Sequence, residues 1–142
     1  MIRADDAAGI IAATQLKAYI KKNKMKSLKV FLGETAPENL TGEIKKFKPS
    51  HLIIIDAVDF NRKPGFTCLL DSYKDMGVSF STHKMPLYIM QDYLCASCSC
   101  QTMIIGIQPE SCHFCQDLSK SVELSIKYLS EQITGALKSL GF

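Results

Sequence analysis

Leu52-Ile53-Ile54-Ile55-Asp56-Ala57-Val58-Asp59 is the stretch on which the fold turns. An unbroken apolar run, Leu52 to Ile55, leads straight into a carboxylate. Such a run is the pattern of a strand buried on both faces, as in a parallel sheet under helices. Ligands of open α/β sheets bind just beyond the carboxyl ends of these strands. A strand from His51 to Asp56 therefore ends on a residue that either does chemistry or merely turns the chain.

Working outward, strands alternate with helices. An Ala- and Ile-rich segment predicts a helix from Asp6 to Lys22, with Asp5 or Asp6 capping its free N–H groups. Leu28–Leu32 reads as a strand. Thr35-Ala36-Pro37-Glu38 has capping-box spacing with Pro37 in the first turn, and predicts a helix from Ala36 to Phe47. Beyond the His51–Asp56 strand, Asp59–Gly65 is a loop and Phe66–Leu70 a short edge strand. Asp71–Phe80 reads as loop with a helical turn. Pro86 opens a helix that runs to Cys95, and Gln101–Gln108 is a second buried strand. Asp117–Leu140 carries a broad apolar stripe from Leu118 to Leu137 and ends at Gly141. The class is α/β with a mostly parallel sheet, one domain over residues 1–142.

The totals narrow the function. Hydrophobic residues make up 46% and charged residues 22%, an ordinary globular balance. A net charge of +3 is too small to argue for nucleic acid. Six lysines between Lys17 and Lys29 surround a helix C-terminus, where cations suit the dipole and water solvates them. No apolar segment reaches the roughly 18–20 residues that span a bilayer, and no leader pattern opens the chain. The expected location is the cytoplasm, without a membrane partner, where cysteines are thiols or metal ligands rather than disulfides.

Two constellations carry chemistry. Asp6 at a helix start, Asp56 at a strand end and His83 just before a helix could meet at one end of the sheet. Two carboxylates and an imidazole suit a borderline divalent ion such as nickel or zinc. The competing signal is Cys95-x-x-Cys98 with Cys112-x-x-Cys115, the spacing of a zinc knuckle or redox pair. These pairs flank a strand about 20 Å long, so joining them requires the loops to fold back. The alternative function is therefore a non-catalytic metal-binding or thiol-redox module. Cys68 has no partner by spacing and reads as core.

The assembled segments resemble the hydrogenase maturation endopeptidases. The matching pieces are Asp5-Asp6-Ala7-Ala8-Gly9, Gly33-Glu34-Thr35-Ala36-Pro37-Glu38-Asn39, Pro49 through Asp59 with Pro64-Gly65, Thr82-His83-Lys84-Met85-Pro86-Leu87, and Gly106-Ile107-Gln108-Pro109-Glu110. They occur in the family's order and span nearly the whole chain. The resemblance implies an aspartic-type endopeptidase that removes a C-terminal extension from the large-subunit precursor of a nickel–iron hydrogenase after nickel insertion. It implies that Asp6, Asp56 and His83 contact the nickel supplied by the substrate, for which zinc or cadmium substitutes in crystals. It also implies a three-layer sandwich, with helices on both faces of a twisted sheet. Two departures are visible: Ala7 stands where a glycine is common, and only Met1–Ala4 precede the acidic motif where the family has a strand and a Gly-Asn loop. The expectation is a sheet without the family's first strand, unpaired backbone beside the gap, and impaired activity.

Overall fold

The computed structural model describes residues 4–34, 36–70, 79–80, 87–111 and 117–142. A 3-10 turn, Ala4–Ala7, leads into helix α1, Ala8–Lys22. A second 3-10 turn, Pro37–Leu40, leads into α2, Thr41–Phe47. Then come strands β1, His51–Asp59, β2, Thr67–Leu70, and β3, Ser79–Phe80. Helix α3, Leu87–Cys98, strand β4, Gln101–Ile107, and helix α4, Lys120–Ser139, complete the order.

The strands form one mixed sheet in the order β2-β4-β1-β3. Its longest ladder is parallel: β1 and β4 pair from His51↔Gln101 to Ala57↔Ile107. Both flanking pairs are antiparallel, Thr67↔Ile107 to Leu70↔Ile104 on one side and Val58↔Phe80 with Asp59↔Ser79 on the other. The alternation of side chains sends two apolar sets to opposite faces. Val58, Leu70 and Ile104 pack on Ile44 of α2 and on Met90 and Leu94 of α3. Ile107 packs on Ala8 and Ala12 of α1 and on Val122 and Ile126 of α4. The result is the expected α/β sandwich, a sheet between two helical layers. No helix of the described residues is long and apolar enough to cross a membrane.

The structure differs from the sequence reading at several points. β1 continues to Asp59, so Asp56 lies inside the strand and not at its end. Ladder pairing with β4 and then β3 carries the strand past its apolar run. That run is not uniformly buried either: Ile53 is 48% exposed. Leu28–Leu32, expected as a strand, forms none. β-propensity needs a partner to become a strand, and among the described residues no strand pairs with β1 from residue 51 to 57 on the side away from β4. Phe31 instead packs edge-on against Phe47 at the end of α2, with ring centroids 6.4 Å apart. Finally, α4 starts at Lys120, three residues later than expected, because Ser119 is its cap and accepts from Val122 N at 3.4 Å.

Candidate active site

Asp56 is buried, 7% exposed, at the β1 position paired with Gly106. Its neighbourhood is set by a glycine. A Cβ on Gly9 would overlap the carbonyl oxygen of Ile55 and lie 3.2 Å from Asp56 Cα. Only a residue without a side chain lets the first turn of α1 rest on the β1 backbone at this point. Asp6, half-buried in the turn just before α1, is thereby carried to the same end of the sheet as Asp56.

The adjacent carboxylate does something else. Asp5 is 1% exposed and caps no part of its own helix; the residue before α1 is Ala7, with no side-chain cap. Its Oδ2 accepts from Glu110 N at 2.7 Å and Ser111 N at 3.3 Å, and its Oδ1 from Ser119 N at 2.8 Å. A carboxylate receiving several backbone N–H groups is strongly held. Asp5 thus ties the turn carrying Asp6 to the exit of β4 and the start of α4. Asp5 is therefore not a cap of the helix it precedes, one of the two capping candidates the sequence offers.

The exit of β4 also organises the chain after Asp56. Gln108, 6% exposed, accepts from Phe60 N at 2.7 Å and Arg62 N at 3.2 Å through Oε1. Its Nε2 donates to Asp59 Oδ1 and to the Pro109 carbonyl, both at 3.1 Å. Two donors at one end and two acceptors at the other fix the orientation of the amide. The Gln108 backbone takes the other end of the loop, accepting from Gly65 N and donating to the Phe66 carbonyl, each at 2.8 Å. Asp59 also accepts from Asn61 N at 2.9 Å. That bond, then the one from Gln108, holds the Asp59 carboxyl below the ordinary carboxylate range. Phe60 folds over Gly106, the ladder partner of Asp56; any Cβ at Gly106 would strike the Phe60 ring. Sequence reading took Gln108 only as the end of a strand. The position before Pro109, where a buried amide must find its own partners, was the available signal.

His83, the third expected ligand, and Cys112 and Cys115 lie outside the described residues, as does Thr35 of the capping box. Among the described residues no three His, Cys, Asp or Glu side chains form a metal-sized group. Cys95 Sγ lies 3.0 Å from Thr102 Oγ1, and Cys100 is buried with its sulfur 3.8 Å from the Leu94 carbonyl. Burial raises the Cys100 pKa, and the neighbouring Cys98 and Cys95 add to the effect. A thiol held in its neutral form is a poor metal ligand and a poor nucleophile. Nothing in the described region supports the thiol-module alternative.

The sequence profile of the hydrogenase maturation proteases matches residues 10–136. The chain belongs to the hydrogenase maturation protease family. The hydrogenase 3 maturation protease of Escherichia coli is 29% identical over 140 residues, 97% of this chain and 86% of that protein. A crystal structure of a nickel–iron hydrogenase maturation protease from Thermococcus kodakarensis superposes with a TM-score of 0.80 at 29% identity, covering 96% of this chain and 86% of that one. A solution structure of an Escherichia coli endopeptidase gives 0.78 at 28% identity, covering 94% and 83%. These relatives are hydrolases of peptide bonds by name, and the hydrogenase maturation protease fold is the one assembled above.

Proposed function

We propose that this chain is a cytoplasmic endopeptidase that removes the C-terminal extension of a nickel–iron hydrogenase large-subunit precursor once nickel is in place. The observation that carries the reading is the close contact of Gly9 with Ile55 and Asp56, which sets the Asp6 turn against the strand bearing Asp56 in a chain of this family. Asp6, Asp56 and His83 contact the metal that the precursor brings, so the metal is part of the substrate. Docked in this way, the extension lies across the carboxyl end of the sheet, and proximity supplies much of the rate. Hydrolysis then needs a water to attack the scissile carbonyl, its proton taken by a carboxylate and returned to the leaving amide nitrogen. Asp6 and Asp56 are the carboxylates for that transfer.

The test is incubation of a nickel-loaded precursor with the purified chain, with the new C-terminus read by mass spectrometry. Cleavage is expected with the native chain, and Asp56→Asn is expected to abolish it. Full processing by Asp56→Asn would sink the assignment of Asp56. Processing of the nickel-free precursor at the same rate would sink the role of the metal.

A further inference from the structure

We infer that Gln108 is a positioning residue, and that the loop it holds, Phe60–Gly65, is the wall on which the protein substrate docks through Arg62 and Lys63. The inference rests on the endopeptidase reading above. β2 and β1 lie on opposite sides of β4, so the connection between them must pass over the carboxyl end of β4. That is the end of the sheet to which Asp5 and Asp56 are also tied. A loop of this length carries no ladder of its own and ordinarily moves. Here a single buried amide takes the N–H groups of Phe60 and Arg62 on one oxygen and grips Asp59 with its nitrogen, while its backbone closes the far end at Gly65 and Phe66. The Phe60 and Phe66 rings meet edge-to-face at 5.6 Å beneath the loop. Arg62 and Lys63 stand exposed on top of it. Fixing a pair of cations that face solvent costs backbone entropy and gains no packing for the cations themselves. A rigid mount for them over the carboxyl end of β4 fits contact with carboxylate or carbonyl groups of a protein substrate.

Two variants test this. Gln108→Met keeps the length and volume of the side chain and loses its polar contacts. Arg62→Ala/Lys63→Ala leaves the clamp intact and removes the cations. Both are assayed for cleavage of nickel-loaded precursor, and Gln108→Met is also compared with the native chain in limited trypsin digestion. Because Pro64 blocks the bond after Lys63, trypsin reports on the Arg62–Lys63 bond. Gln108→Met is expected to be cut there at least about tenfold faster than the native chain, reflecting loop opening. Both variants are expected to raise KM about tenfold with kcat within about threefold, the signature of lost uniform binding. Native KM in Arg62→Ala/Lys63→Ala overturns the docking role, and an unchanged trypsin rate in Gln108→Met overturns the clamp. If the native chain leaves the precursor intact, the endopeptidase reading and the docking role fall together, while the trypsin comparison still decides whether Gln108 holds the loop.

Discussion

Asp5 and Asp6 are adjacent and identical in chemistry, and Asp5 is committed to holding the fold. Asp5 is sealed against three backbone N–H groups from two other segments. Asp6 beside it is half-buried and is the one proposed above to contact the metal. Replacing Asp5 by Ala leaves those donors without their charged acceptor, a loss on the order of 3 kcal/mol. Urea melts should show a lower midpoint with an unchanged slope. Asp6→Ala should lose less stability than Asp5→Ala, since Asp6 is half-buried where Asp5 is sealed, while failing in the cleavage assay. Equal melts for the two variants would remove the distinction. At buried Cys100 the raised pKa predicts slower alkylation by iodoacetamide at pH 8 than at half-buried Cys95 and Cys98. Asp59 titrates the other way. Its folded pKa is lowered, so the small benefit of its bonds is present above the ordinary carboxylate range and fades only as pH falls through the depressed value. The Asn61 amide resonance should report that titration in acid. Places at a helix start and a strand end brought Asp6 and Asp56 forward together with His83, but local sequence gave no sign of the role of Asp5. That role depends on N–H groups more than a hundred residues away in the chain.

The elements were legible where a pattern is self-sufficient. α1 and α4 bury apolar faces at helical spacing, and β1 and β4 are runs of branched residues that pair with one another. Legibility ended where an element depends on its neighbour. Leu28–Leu32 has strand composition but pairs with no described strand, whereas Val58 and Asp59 gain strand structure from β3. Contact between elements yields its own predictions. Gly9→Ala would push a methyl group into the Ile55 carbonyl and lift α1 from β1. The overlap is with backbone, which cannot rotate away, so a loss of about 1–3 kcal/mol is expected. The same substitution at Gly42, which has open space around its Cα, should be neutral or slightly stabilising in α2. A thermal melt of the pair decides it: similar melting temperatures would mean that α1 does not sit on the strand as described.

At the scale of the molecule, the sheet is asymmetric about β1. Ser50 O accepts from Gln101 N at 2.9 Å, so the even-numbered residues of β1 turn their backbone groups toward β4. The odd-numbered residues His51, Ile53 and Ile55 turn theirs to the opposite side, where no described strand pairs with residues 51–57. Backbone groups outside a ladder must find water or another partner. Native-state hydrogen exchange should therefore alternate along one strand. The amides of Leu52, Ile54 and Asp56, bonded into the parallel ladder between two helical layers, should exchange only with global unfolding. Those of His51 and Ile53 should exchange by local opening, at least about a hundredfold faster. Uniform protection from residue 51 to 57 would mean that the flank is covered in solution. Alternation would show that the strand carrying Asp56 is held from the β4 side, the strand whose exit also holds Asp5 and carries Gln108.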